Sequence, residues 1–337
     1  MMLESAETTS RETLLQVDDL RIEFRIGGKW RAATRNIDFE LKADETLALV
    51  GESGCGKSIT CRSILGLVDG PGARTKGSIK FKGQELVGLP DRKFQHIRGQ
   101  DVAMIFQEPQ TALNPVMRVG DQISEAITSH MQVSSAEARR RTLELMESVR
   151  IPAPEQRYRA YPHQFSGGMR QRVVIAMALA CQPSVLLADE PTTALDVTIQ
   201  AQVLSELREL RERNQMSVIF ITHSMGVVAA VADRVAVMYA GEVVEIAQVA
   251  TIFEEPRHPY TQALLHSIPS VESDKEELQV IPGQVPSIAN FPEACRFADR
   301  CPHVMPRCRQ EAPPRFQVGS TEVRCWLYDV DTVEAGQ

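Results

Sequence analysis

Apolar side chains fall into two rhythms along this chain. Residues 15–24 and 36–41 alternate apolar with polar positions, as half-buried strands do, and Gly27-Gly28 between them marks a turn. Residues 46–50 form a short continuous apolar run ending at a glycine, which predicts a parallel strand covered on both faces. Residues 185–188 and 218–222 are further apolar runs of strand length. Helical spacing governs the intervals. A helix is expected from Lys57 towards Leu67, and residues 113–159 read as mostly helical. There Ser134 and Glu137 have capping-box spacing, and Leu143, Met146 and Val149 share one face. After Asp196, the apolar residues Ile199, Val203, Leu207 and Leu210 form a single buried stripe. Strands alternating with helices predict an α/β fold, a mainly parallel sheet with helices on both faces.

Composition sharpens this picture at two places. Of 337 residues, 43% are hydrophobic and 24% charged, ample material for a packed core. The net charge of −7 argues against nucleic acid as the main partner, since phosphate backbones attract basic surfaces. No apolar run approaches the roughly 20 residues needed to span a bilayer. The apolar stretch at residues 227–239 is broken by Asp233 and Arg234 and fits a buried helix-to-strand passage. The first residues lack the basic start and apolar centre of a secretory signal, so a cytoplasmic protein is expected. Beyond Pro269 prolines and cysteines become dense and periodicity fades. The expected division is a polar, disordered stretch at 1–14, a main domain at 15–269 with a helical subdomain at about 108–182, and a small C-terminal domain at 270–337.

Residues 51–58, Gly-Glu-Ser-Gly-Cys-Gly-Lys-Ser, have the pattern G-x-x-x-x-G-K-[ST], preceded by the apolar run and followed by a helix. Small residues here let successive backbone N–H groups turn inward around anionic oxygens, with the positive end of the helix behind them. Gly51, Glu52, Ser53, Gly54, Cys55, Gly56, Lys57, Ser58 and Ile59 are thus candidates for nucleotide phosphate binding. Lys57 supplies a point charge and Ser58 a hydroxyl for Mg²⁺, while Cys55 is read as a filler whose amide matters. The run at 185–188 ends in Asp189-Glu190-Pro191, which places two carboxylates at a strand's C-terminal edge, where α/β sheets bind ligands. Asp189 is the candidate for the Mg²⁺ shell and Glu190 for polarising an attacking water.

Between these elements lies Tyr161-Pro162-His163-Gln164-Phe165-Ser166-Gly167-Gly168-Met169-Arg170-Gln171-Arg172. This segment resembles the signature motif of ATP-binding-cassette (ABC) ATPases, in which Ser166, Gly167 and Gly168 open a helix. Gln107 in Met104-Ile105-Phe106-Gln107-Glu108-Pro109, the Ala194-Leu195-Asp196 loop, and His223 after the run at 218–222 match the family's remaining elements in order. The resemblance covers about residues 15–270. It implies a P-loop NTPase cassette with a RecA-like core, an antiparallel β subdomain, a helical signature subdomain and a small Cys-rich C-terminal domain. It also implies a sandwich dimer holding two ATPs. Residues 53–58, Gln107, Asp189, Glu190 and His223 then hold one nucleotide with Mg²⁺, and Ser166–Gly168 of the other subunit close over it. An aromatic residue near the N-terminus stacks on adenine in this family, and Phe24, slightly ahead of Trp30, is the candidate.

Arg257-His258-Pro259-Tyr260-Thr261-Gln262-Ala263-Leu264-Leu265 resembles a segment of the dipeptide, oligopeptide and nickel importer branch. Met169 resembles the first of the two paralogous ATPases in such systems. The resemblance implies an energy-coupling ATPase at the cytoplasmic face of the inner membrane. Its partners would be a paralogous ATPase, two transmembrane permease subunits and an extracytoplasmic solute-binding protein; homodimerisation is the alternative. A soluble ABC protein of translation or repair is the competing reading, set aside because the chain has one cassette and no sustained heptads. Cys295, Cys301, Cys308 and Cys325 are spaced C-x5-C-x6-C-x16-C, without the tight pairs of zinc ribbons. Four thiolates on a Pro-rich loop, with Pro302 after Cys301, suit a [4Fe–4S] cluster, as in some members of this branch. Zn²⁺ and plain reduced cysteines are the alternatives, and His303 is a possible further ligand.

Overall fold

A computed structural model of the chain describes residues 11–193, 195–267 and 281–329, the side chains of residues 109 and 110 aside. Of the stretch expected to be disordered, 1–14, the first ten residues lie outside the described residues, as do Ala194 and the expected domain boundary at 269–270; Thr13 and Leu14 instead begin a strand, paired with the strand that follows it.

Among the described residues twelve strands form two sheets. β1 (Thr13–Ile26), β2 (Lys29–Lys42), β4 (Ala73–Phe81) and β5 (Gln84–Glu85) make an antiparallel sheet in the order β2-β1-β4-β5. The Gly27-Gly28 turn joins β1 to β2, both glycines at positive φ (56° and 77°), the two-residue hairpin that right-twisted strands favour. The larger sheet uses β3 (Thr46–Val50), β6 (Val102–Ile105), β7 (Val185–Asp189), β8 (Ser217–Thr222), β9 (Arg234–Tyr239) and β10 (Glu242–Gln248), with β11 (Phe316–Val318) and β12 (Thr321–Val323) from the tail. Its order is β11-β12-β10-β9-β3-β8-β7-β6. β9, β3, β8, β7 and β6 are mutually parallel, and β10, β12 and β11 continue the sheet antiparallel.

Why the central strands read as unbroken apolar runs is visible in their packing. Leu47, Leu49, Leu187, Ile219 and Ile221 face a core shared with the antiparallel sheet and helix α1 (Lys57–Ile64). Their sequence neighbours turn the other way. Leu186, Ala188, Val218 and Phe220 meet the helices that form the middle of the chain. Ala48, Val50, Val235 and Val237 meet a third core. Alternation persists, but with both faces buried every position must be apolar.

The remaining helices are α2 (Asp91–Ile97), α3 (Pro109–Ala112), α4 (Val119–Thr128), α5 (Ser135–Ser148), α6 (Pro154–Arg157), α7 (Gly167–Leu179), α8 (Val197–Asn214), α9 (Met225–Val231), α10 (Val249–Glu254) and α11 (Pro259–His266). Ser134 caps α5 by accepting from Glu137 N at 3.2 Å, and Asp196 caps α8 by accepting from Ile199 N at 3.0 Å. Val203, Leu207 and Leu210 are buried along α8 as their spacing predicts. None of the described helices is long and apolar enough to cross a membrane.

The tail is packed into the cassette. β12 pairs with β10, and Phe297 stacks edge-on against Tyr239 and Tyr260, 5.1 and 5.5 Å between ring centroids. Arg35 of β2 donates to Glu242 Oε1 (2.5 Å) and to the carbonyls of Glu293 and Ala294 (each 2.8 Å). His258 begins α11: its Nδ1 accepts from Tyr260 N at 3.0 Å, and its own N–H donates to Glu245 at 2.8 Å.

Complete burial of His258 lowers its imidazole from the ordinary 6.5 to about 3. The folded protein keeps the ring neutral where the unfolded chain protonates it. Its contribution is therefore whole above pH 6.5 and is lost as pH falls towards 3. Over that window the wild type is expected to lose about 1.4 kcal/mol per pH unit more than His258→Asn, measured by urea denaturation. Equal slopes would remove the histidine from the acid response.

Candidate nucleotide site

β3 delivers the chain into the loop at 51–58, and the geometry demands glycine at its ends. A Cβ on Gly51 would lie 2.1 Å from the Met238 carbonyl oxygen, and Gly56 caps α1 at φ 102°. Ser53 and Gly54 are exposed, so their backbone faces solvent, whereas Cys55 is fully buried and its carbonyl accepts from Gly241 N at 2.9 Å. Burial pushes the Cys55 thiol up, which makes it an inert filler. Ile59 is half-buried against the core beneath the loop.

Lys57 is buried and folds back on the loop, donating to the Gly51 and Glu52 carbonyls at 2.7 and 3.2 Å. Ser58 Oγ donates to Asp189 Oδ1 at 2.8 Å. The other Asp189 oxygen, Oδ2, is buried without a hydrogen-bond partner among the described residues. Burial raises this carboxyl above its usual range. An orphaned, desolvated carboxylate oxygen beside a serine hydroxyl is a donor set that fits Mg²⁺, whose charge would satisfy the oxygen that the protein leaves unpaired.

Glu190 follows at φ 47°, a left-handed backbone that a residue with a Cβ adopts only under constraint. Three side chains converge on its Oε2: Thr193 Oγ1 at 2.9 Å, Gln107 Nε2 at 3.4 Å and His223 Nδ1 at 3.4 Å. Among the described residues Oε1 has no hydrogen-bond partner, so this oxygen is open to a hydrogen bond from water. The structure thus brings together Lys57, Ser58, Asp189, Glu190, Gln107 and His223 as read from the sequence. Thr193 was not read from it; no spacing rule marks a threonine two residues beyond a proline.

Ser166 caps α7 by accepting from Met169 N at 3.3 Å, and Ser166 and Gly167 are exposed. Among the described residues they make no hydrogen bond to the loop, Asp189 or Glu190, so this helix end is open for another molecule. Phe24 is half-buried against the core, whereas Trp30 is 38% exposed with the Arg74 guanidinium 4.2 Å above its ring.

Cys295, Cys301, Cys308 and Cys325 are all unpaired and line one nearly closed cavity with His258 and His303. Its volume of about 10 Å³ is room for roughly one water. Burial pushes Cys295 up to about 12 and Cys325 up to about 11, so these thiols are protonated at neutral pH. Among the described residues no three His, Cys, Asp or Glu side chains stand where they could hold one metal ion. The expected Zn²⁺ and [4Fe–4S] groups therefore have a converging thiol set but no formed site in this structure.

A glycine-edged loop on a helix N-terminus, a buried aspartate beside the loop serine, and a glutamate held by glutamine, threonine and histidine define a P-loop ATPase of the ATP-binding-cassette class. Residues 34–193 match the ABC transporter family model, and residues 244–308 match that of the oligopeptide/dipeptide transporter C-terminal region. The chain is 51% identical over 321 residues to the oligopeptide transport ATP-binding protein OppD of Bacillus subtilis, covering 94% of this chain and 90% of the relative. It is 50% identical over 320 residues to the dipeptide transport ATP-binding protein DppD of the same organism, covering 94% and 96%. Among solved structures, the dimeric ATP-binding cassette MJ0796, in a post-hydrolysis state bound to ADP and Pi, superposes with a TM-score of 0.62 at 27% identity, covering 70% of this chain and 99% of that one. The chain belongs to the ATP-binding subunits of oligopeptide and dipeptide ABC transporters.

Thr193→Val removes one of the donors to Glu190 while preserving shape. Turnover at saturating ATP is expected to fall about 3- to 10-fold, with KM for ATP unchanged, because a hydrogen bond to a charged group at a partly exposed site is lost. A raised KM with full turnover would place Thr193 in binding instead.

Proposed function

We propose that the chain is the ATP-hydrolysing, energy-coupling subunit of an importer for peptides or related small solutes. The observation that carries this is the convergence of Gln107, Thr193 and His223 on one oxygen of Glu190, beside the Ser58–Asp189 pair. Lys57 and the loop amides bind the phosphates, and Ser58 and Asp189 hold Mg²⁺. Bound there, Mg²⁺ neutralises charge that builds on the phosphoryl oxygens. Glu190 orients a water and takes its proton at Oε1, while His223 and Gln107 fix the carboxylate.

ATP would also join two cassettes, the exposed N-terminus of α7 closing on a nucleotide held by the other subunit. That helix end offers unpaired backbone amides and a positive dipole to an anion. The partner is a paralogous ATPase of the same branch, as Met169 suggests, rather than a second copy. Phe24 is the adenine platform, since Arg74 already covers one face of Trp30. The permease would dock in a groove of about 720 Å³ lined by Leu67, Met104, Phe106, Gln107, Val174 and Met177. Gln107 belongs both to this groove and to the Glu190 cluster, so occupancy of one biases the other. The assembly would sit at the cytoplasmic face of the inner membrane, fed by an extracytoplasmic solute-binding protein.

Glu190→Gln tests the core of this reading. Steady-state hydrolysis is expected to fall about 100-fold or more with MgATP binding retained, and the ATP-loaded variant should pair with another cassette in light scattering. Preserved turnover, or binding without pairing to either the sister subunit or itself, would overturn it.

For the tail, the [4Fe–4S] reading over Zn²⁺ rests on the spacing C-x5-C-x6-C-x16-C, which lacks tight pairs; the four unpaired thiols line one cavity, but it has room for about one water and the described residues form no metal site. Anaerobically purified full-length protein is expected to be brown, with the colour lost in Cys301→Ser. Colourless protein with stoichiometric zinc decides for zinc, and metal-free protein for plain cysteines.

A further inference from the structure

Glu52 is the one charged side chain of the phosphate loop with no task in the chemistry above. It is also the residue by which the tail grips that loop. Its backbone N–H donates to the Tyr260 hydroxyl at 2.9 Å. Its carboxylate receives both arms of the Arg300 guanidinium, Nη1 to Oε2 at 2.7 Å and Nη2 to Oε1 at 3.1 Å. Such two-pronged pairing fixes geometry as well as charge.

Arg300 is itself held firmly. Nε donates to the Pro282 carbonyl at 2.8 Å, Nη2 to that of Ile281 at 3.3 Å, and Nη1 reaches the Tyr239 hydroxyl at 3.4 Å. Its side chain is 5% exposed, and its guanidinium lies 5.6 Å from the Tyr239 ring centroid. Tyr239 ends β9, the strand paired with β3, which launches the loop. The loop's second residue is thus braced from the sheet and from the tail at once.

Charge gives this brace a consequence for ligand binding. The loop must accept a polyphosphate, and an unpaired carboxylate within it would repel that anion in a partly desolvated setting. We propose that Arg300 is a positioning residue for the nucleotide: by clamping and neutralising Glu52 it holds the phosphate loop ready for triphosphate, so that the cysteine-bearing tail sets ATP affinity. This rests on the reading of residues 51–58 as the ATP site.

Removing Arg300 does two separable things: it frees the loop and it bares the carboxylate. The test is a set of full-length variants, with MgATP affinity measured by calorimetry and turnover at saturating ATP. Arg300→Ala is expected to weaken MgATP binding about 10-fold with kcat within about 2-fold, a KM effect and not a chemical one. Arg300→Lys, which keeps charge but loses the fork, should fall between. Glu52→Gln placed in the Arg300→Ala background should recover at least half of the loss on a logarithmic scale, because the repulsion goes with the charge. An Arg300→Ala protein with wild-type affinity overturns the proposal. So does a double variant no tighter than Arg300→Ala, which would make the arginine a structural tie; melting temperatures identify a variant that has simply unfolded, and Arg300→Lys then decides alone by the same criterion. Failure of the wild type to bind MgATP would instead sink the ATP-site reading beneath it.

Discussion

Parallel pairing of β3, β8, β7 and β6 is the constraint from which the site follows. Register sets Val50 opposite Thr222, Ile221 opposite Asp189 and Ala188 opposite Ile105. Four strands running the same way therefore release their chains at one edge. The residues just beyond them are Gly51, His223, Glu190 and, two positions after β6, Gln107. An antiparallel exchange at any of these strands would send the residue that follows it to the opposite edge. The sheet's apolar runs thus do two jobs: they bury both faces, and by doing so they fix the register that assembles the chemistry.

At that edge, two adjacent carboxylates have different surroundings. Asp189 is the last residue of β7 and fully buried, with one oxygen tied to Ser58 and the other unpaired. Glu190 leaves the strand through a left-handed backbone that turns its side chain towards Gln107, Thr193 and His223. One acid is thereby left wanting a cation, the other is held by donors with an oxygen to spare. The contrast between these neighbouring acids comes from position relative to the strand end, not from their own chemistry.

Much of this was legible in the sequence because it follows continuous apolar runs, which place Asp189, Glu190 and His223 at strand termini and Lys57 at the start of the helix after β3. Thr193 was not, since its contact depends on the turn that a positive φ at Glu190 creates. The tail was legible only in part. Its cysteines do converge, but spacing names donors without fixing how far apart they stand, and the cavity between them is small. Its strands β11 and β12 are three residues each, too short to show a period, and so their place in the main sheet was invisible. The helix α7 was likewise hidden from a periodicity reading, because Gln171, Arg172, Val173, Val174, Ile175 and Ala176 are buried in succession and leave no polar face.

The tie between Glu52 and Arg300 spans 248 positions, and no local rule reaches so far. It nevertheless answers a physical difficulty of the loop. With Lys57 turned onto the Gly51 and Glu52 carbonyls, the loop's chief cation is engaged within the protein, and something must keep the amides from closing on themselves. Rigid neighbours do so. Cys55 is sunk into the core, Gly241 pins its carbonyl, and Tyr260 holds the Glu52 amide from behind. On the proposed reading, a phosphate would have only to draw Lys57 from these two carbonyls, with no loop to order, so less of its binding energy would be lost to entropy. Tyr260 and the tail's Arg300 brace the loop through Glu52, and on the proposed reading this is how the tail would reach the nucleotide site.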